Sequence, residues 1–173
     1  FQLTTMTIPP GATWQINRPI DFKFSQPVDF STVSLNTISI RSVGGVPASG
    51  VFTLLDSTTV RFQPTCPTMG DLSDSGLQIG GKTYQISVYG GTSGGSLTVK
   101  GQNGATIKDS QFLNFTTPVS STPSIAFIDV KSGPPTPVVR SIGAGGAVIN
   151  PGDDVTYIET AGGAGPELEF VYD

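Results

Sequence analysis

The sequence predicts an all-β chain: an antiparallel sandwich followed by a partial second β unit. Three features point there. Apolar and polar residues alternate with a period of two in short runs such as Ile20-Asp21-Phe22-Lys23-Phe24 and Tyr84-Gln85-Ile86-Ser87-Val88. Each such run puts one face in a core and the other in water. Turn-forming residues separate the runs, with 22 Gly and 14 Pro in 173 residues. No long stretch keeps a helical period, and charged residues make up only 13%, about half the usual share of roughly 25%. The polarity is carried by Ser and Thr hydroxyls, which suits strands and turns.

Taken in order, Leu3 to Ile8 is a first strand closed by Pro9-Pro10-Gly11, and Thr13 to Asn17 continues it past the break. A kink of this kind lets one edge strand serve both sheets of a sandwich. Trp14 is expected to pack in the core or at its rim, the alternative being a surface platform for a ligand. The run from Pro19 to Phe24 is the clearest strand, with Ile20, Phe22 and Phe24 inward. Ser25-Gln26-Pro27 stops it, because proline cannot donate to a ladder. Val28 to Val33 then reads as a turn or a single helical loop.

Asn36 to Arg41 follows with Ile38 and Ile40 inward, and Val43 to Leu55 is a strand interrupted at Gly44-Gly45 and Gly50. Asp56-Ser57 is a tight turn into Thr58 to Pro64, with Val60 and Phe62 inward. Met69, Leu72, Leu77 and Ile79 in the long Thr65 to Gly81 loop predict a loop packed over one end of the core. Lys82 to Tyr89 is a strand with Tyr84, Ile86 and Val88 inward. Asn103-Gly104 tolerates positive φ and predicts a hairpin between Ser96 to Lys100 and Ala105 to Lys108. Gln111 to Thr117 closes the series, with Leu113 and Phe115 inward, and Pro118 ends it. Eight or so short strands so spaced make a sandwich.

Several of these segments, in this order, carry a resemblance: Pro19-Ile20 to Pro27-Val28-Asp29, Val60-Arg61-Phe62-Gln63-Pro64, Lys82-Thr83-Tyr84 and Phe115-Thr116-Thr117. The pattern resembles the bacterial Ig-like domain of surface-layer and other secreted multi-domain proteins, over about residues 4–118. The resemblance implies an Ig-like β-sandwich, a spacer or adhesive role in an extracellular array, and no catalytic residues to carry over. This chain departs from the pattern in the Cys66 to Asp74 loop and in the Gly90 to Gly95 insertion, where any individual function would sit.

Beyond a Ser120 to Pro123 linker the composition shifts. Residues 121–173 hold seven acids (Asp129, Asp153, Asp154, Glu159, Glu167, Glu169, Asp173) against Lys131 and Arg140, a net of −5, whereas residues 1–120 carry a net of +1. A charge asymmetry of this size supports a boundary. The expected organisation is a sandwich over 1–119, a linker at 120–123, and a partial second β domain over 124–173, Ig-like and truncated. Its strands are expected at Ser124 to Val130, Val138 to Ile142, Asp154 to Glu159 and Leu168 to Tyr172, the alternative being that they extend the first sheet. A fragment ending at Thr117 is expected to fold alone as a monomer, whereas residues 121–173 alone are expected not to fold.

The chemistry suggested by composition is sparse. A net charge of −4 without histidine lacks the electrostatic footprint of a phosphate binder, so no nucleic-acid partner is expected. Cys66 has no second cysteine to pair with, so there is no intramolecular disulfide framework. No apolar run approaches the roughly 20 residues that span a bilayer, and no membrane insertion is expected. Phe1-Gln2-Leu3 resembles neither a start nor a signal peptide, and the chain reads as a piece of something longer.

Gly91-Thr92-Ser93-Gly94-Gly95 satisfies G-x-S-x-G literally, but a nucleophile elbow needs a strand-to-helix turn and a histidine base. Asp71/Asp74 and Asp153/Asp154 stand in loops where carboxylates serve calcium, yet neither has a recognised spacing and aspartates also cap turns. Asn114-Phe115-Thr116 fits a glycosylation acceptor but falls within a strand. No enzyme activity, catalytic residue, cofactor or metal site is therefore assigned. The expected role is a structural module of a secreted or cell-surface bacterial protein whose partners are neighbouring domains of its chain. The alternative is a module binding a glycan or a surface protein through its long loops and aromatics such as Trp14, Tyr89 or Phe112. A coplanar exposed aromatic set would favour the glycan.

Overall fold

A computed structural model describes residues 1–91, 97–128, 138–142 and 167–171. The chain divides into two compact units, Phe1–Ile128 and Asp129–Asp173.

The first unit is an antiparallel β-sandwich. Its strands are β1 (Leu3–Met6), β2 (Ile20–Phe24), β3 (Val28–Asp29), β4 (Ile38–Ser42), β5 (Gly50–Asp56), β6 (Thr59–Pro64), β7 (Thr83–Val88), β8 (Lys100–Gly101) and β9 (Gln111–Thr116). One sheet has the order β1-β2-β6-β5, a second has β4-β7-β9, and β3 pairs with β8 in a short ladder. All named pairs in the unit are antiparallel. Ile20, Phe22, Phe24, Val60 and Phe62 of the first sheet meet Ile38, Ile40, Tyr84, Ile86, Val88, Leu113 and Phe115 of the second in one buried cluster. These are the twelve residues that the period of two turns inward. One misregistered residue would expose a whole face, so burial fixes the register.

The first strand does serve both sheets. β1 pairs with β2, Pro9-Pro10-Gly11 redirects the chain with Gly11 at φ +71°, and the segment beyond pairs with β9. Trp14 N–H donates to the Thr116 carbonyl at 2.8 Å and Thr116 N–H to the Ala12 carbonyl at 2.9 Å. Only a bridge at Thr13 is formed there, and Ile16-Asn17 turn, closed by Arg18 N–H donating to the Gln15 carbonyl at 3.1 Å, so the expected strand over Thr13 to Asn17 is not formed. Past Pro27, Asp29 caps a single 3-10 turn at Phe30–Thr32 by accepting from Ser31 N–H.

Two other expectations change. The predicted strand at Val43 to Leu55 starts only at Gly50, because the preceding residues fold back along β4. Ser42 N–H donates to the Val46 carbonyl and Ala48 N–H to the Ile40 carbonyl, each at 2.8 Å. The Asn103-Gly104 hairpin is reduced to a tight turn, closed by Gly101 N–H donating to the Ala105 carbonyl and one bridge from Lys100 to Thr106, with Gly104 at φ +79°.

The segment after the sandwich is helical where a strand was expected. Pro123–Ala126 forms one turn, α1, closed by Ile125 and Ala126 N–H groups donating to the Thr122 carbonyl. It continues on the sandwich: Ile16 N–H donates to the Ala126 carbonyl at 2.9 Å, and Asn17 exchanges side-chain bonds with both the N–H and the carbonyl of Ile128. Ala126 is buried and Phe127 packs against the core. Proline at the first helical position, and Ile16 and Asn17 placed to bond the backbone of Ala126 and Ile128, favour this turn over a free strand.

In the second unit, β10 (Val138–Ile142) and β11 (Glu167–Val171) pair antiparallel with each other, from Val138 opposite Val171 to Ile142 opposite Glu167, in a sheet of their own. The strand expected at Asp154 to Glu159 and the pair Asp153/Asp154 lie outside the described residues.

Candidate functional site

The outward face of β4-β7-β9 is set by the same alternation that builds the core. Ser39 and Arg41 on β4, Gln85 and Ser87 on β7, and Phe112 and Asn114 on β9 point away from it. Register then places Arg41 opposite Gln85 and Gln85 opposite Asn114 in one row, with Ser39, Ser87 and Phe112 in the next. A shallow groove of about 340 Å³ follows these rows, lined by Ser39, Arg41, Ser42, Gln85, Ser87, Tyr89 and Asn114 with the Val43 and Gly45 turn. It offers a guanidinium, two carboxamides, hydroxyls and a phenol ring. Such a surface can make directional hydrogen bonds to a neutral polar ligand, and it holds no nucleophile–base pair.

The aromatics named from sequence separate here. Trp14 is buried, its indole N–H donates to the Arg18 carbonyl at 3.1 Å, and the Arg18 guanidinium lies 4.1 Å over its ring. It belongs to the core and cannot be a surface platform. Tyr89 and the exposed Phe112 meet edge to face, with ring centroids 6.1 Å apart and planes at 77°. They are not a coplanar pair.

The Thr65 to Gly81 loop is packed through Leu77, Leu72 and Ile79, while Met69 is exposed. Its aspartates are engaged within the loop. Asp74 accepts from Thr68 N–H at 2.8 Å, Thr68 Oγ1 at 2.7 Å and Met69 N–H at 3.2 Å, and Asp71 accepts from Ser73 N–H at 3.0 Å. These bonds favour the charged form, so both carboxyls are held below the ordinary aspartate range, Asp74 chiefly by Thr68 and Asp71 chiefly by Ser73. Among the described residues no group of three or more His, Cys, Asp or Glu converges as metal ligands do. Tyr84 ties the loop down: buried in the core and stacked on Phe115, it accepts from Gln78 N–H at 2.9 Å. Thr117 Oγ1 does the same at the sheet end, donating to the Gln78 carbonyl and accepting from Lys82 N–H.

Cys66 is exposed and unpaired. Asn114 is exposed on β9, between the buried Leu113 and Phe115. Residues 92–96, which include Ser93 of the G-x-S-x-G match, lie outside the described residues. The groove was missed from sequence. Its only signal there was the outward half of three strands, which reads as ordinary solvated surface until register sets the residues side by side.

The sheets and their shared core define an all-β antiparallel sandwich. No family profile and no curated protein matches the chain. Among solved structures it is similar to the LD transpeptidase LdtMt1 in complex with imipenem, at 14% identity and a TM-score of 0.43, over 68% of this chain and 39% of that one. It is also similar to L,D-transpeptidase 3 from Mycobacterium tuberculosis, at 13% identity and a TM-score of 0.39, over 68% of this chain and 37% of that one. The same enzyme with a faropenem-derived adduct aligns at 14% identity and a TM-score of 0.41, over 95% of this chain and 54% of that one. The chain thus spans 37 to 54% of those enzymes' length, and likenesses this distant decide nothing about its chemistry. No described helix is long and apolar enough to cross a membrane.

Proposed function

We propose that the chain is a non-enzymatic structural module of the bacterial Ig-like kind, a spacer within a secreted or cell-surface multi-domain protein. What supports the reading is where the charged groups of the first unit are spent. Five of its six carboxylates are engaged in building the sandwich: Asp21 pairs with Arg61, Asp29 caps the 3-10 turn, and Asp56, Asp71 and Asp74 close turns. A site for general acid–base chemistry needs carboxylates converging on a cleft; these are dispersed at turns and on a strand face. Two compact units in sequence suit a string of modules whose neighbours are domains of the same chain.

A glycan-binding role is the second reading, favoured by the Arg41, Gln85 and Asn114 row beside Tyr89. Titration calorimetry of the whole chain against a panel of neutral oligosaccharides separates the two. The spacer reading expects no saturable heat. Saturable binding that Gln85→Ala abolishes without changing the melting temperature would replace it with the second.

A further inference from the structure

We propose that β5 is an association strand, pairing antiparallel with β5 of a second copy of this chain. The sandwich has four sheet edges, and three are closed. β1 is short and bulged, and Gln111 Nε2 donates to its Leu3 carbonyl at 2.7 Å. β4 is covered by the folded-back Val46 to Ala48 segment, and β9 by Gly11 to Trp14. β5 lies at the end of the first sheet, and among the described residues its Val51 to Leu55 stretch forms backbone pairs with β6 alone.

Natural sheets protect such an edge by shortness, lysine, proline or an early bulge. β5 is the longest strand of the unit, with seven residues. It has neither lysine nor proline, and its bulge comes only after Leu54. It is also apolar where it is exposed, at Val51, Leu54 and Leu55. An open row of backbone donors and acceptors with apolar flanks is the surface that takes an added strand.

Charge argues for a second copy as the occupant. Gly50 to Leu55 is uncharged, and Asp56 stands at one end. Antiparallel self-pairing about a two-fold near Phe52 or Thr53 puts each Asp56 opposite the uncharged Ala48 to Gly50 end of the other copy, so no like charges meet. Val51 and Thr53 lie near the two-fold, where β-branched cross-strand pairs fit well. The unit that carries β5 is near neutral, at +1 over residues 1–120, while the whole chain carries −4, a repulsion that salt screens beyond about 8 Å. A two-fold pairing buries the same edge on both copies and closes the assembly at a dimer.

Sedimentation of the whole chain from micromolar to near-millimolar concentration tests this, with Val51→Lys as the disrupting variant and Phe112→Lys as a control. The two sites are matched in exposure at 60% and 58%, and Phe112 lies on the other sheet. A monomer–dimer equilibrium is expected, weakened at least about tenfold by Val51→Lys and unchanged by Phe112→Lys. Hydrogen exchange on the unmodified chain provides a second readout that no misfolded variant can confuse: amides of residues 51–55 should exchange more slowly as concentration rises. A chain monomeric throughout, a dimer indifferent to Val51→Lys, or exchange in this stretch that does not depend on concentration overturns the proposal.

Discussion

Arg61 holds Asp21 across the β2–β6 pair in a two-pronged contact, Nε to Oδ1 at 2.7 Å and Nη2 to Oδ2 at 2.9 Å. The two residues are directly opposed in the register, on the face away from the core. The bond to Asp21 keeps the guanidinium above its ordinary pKa. Because the Arg61 side chain is 36% exposed and that of Asp21 19%, water screens much of the attraction. A double-mutant cycle with Asp21→Asn and Arg61→Gln should give a coupling of about 0.5 to 1 kcal/mol, shrinking in high salt. A coupling that is absent, or unaffected by salt, would show that the contact only decorates the strand pair.

Tyr84 predicts a different kind of loss. Its ring is core, but its hydroxyl is the acceptor for Gln78 N–H. Tyr84→Phe keeps the packing and strands that donor, at a cost of about 1 to 3 kcal/mol. Proteolysis within residues 66–79 should speed up with it, since the loop loses one of its ties. Chemical denaturation and limited digestion read the two effects separately.

The acid limb of stability should come from turn aspartates. The carboxyls of Asp56, Asp71 and Asp74 are all held below the ordinary aspartate range; for Asp56 the first cause is the hydrogen bond it accepts from Thr58 N–H at 2.7 Å. A carboxyl depressed in the folded state contributes stability that is fully present above its unfolded value and is lost as pH falls through the folded one. Melting temperature should therefore be flat from neutral pH down to about 5 and fall below about 4. Replacing all three by Asn should make that decline shallower, and an unchanged acid limb would mean that other groups set it.

Where the first unit stops is testable by truncation. A fragment ending at Thr117 loses the Ala126 and Ile128 contacts with Ile16 and Asn17 and the packing of Phe127. It should fold, but less stably than one ending at Ile128, by about 2 to 4 kcal/mol for a part-buried aromatic and a few hydrogen bonds. Equal stabilities would make the 118–128 segment a passive linker.

How far the fold could be read from sequence depended on the kind of signal. The strand alternation at Ile20 to Phe24, Val60 to Phe62, Tyr84 to Val88 and Leu113 to Phe115 determined the core and the register of the sheets, because a period of two with large apolar side chains has one way to bury them. Turn chemistry at Pro27, Asp29 and Asn103-Gly104 determined where strands end, since proline and positive φ restrict the local backbone whatever lies around it. Tertiary structure decided what local preference leaves open. Val43 to Ala48 lies along β4, and Pro123–Ala126 coils where its alternation suggested a strand, because unsatisfied backbone groups of Ile40 and Ile16 await partners there. The groove exists only once Arg41, Gln85 and Asn114 stand in one row, and β5 is an edge, paired with β6 alone among the described residues, only because the sheet order β1-β2-β6-β5 puts it last. Both are relations between strands far apart in the chain, and such relations come into being only when the two sheets close over their shared core.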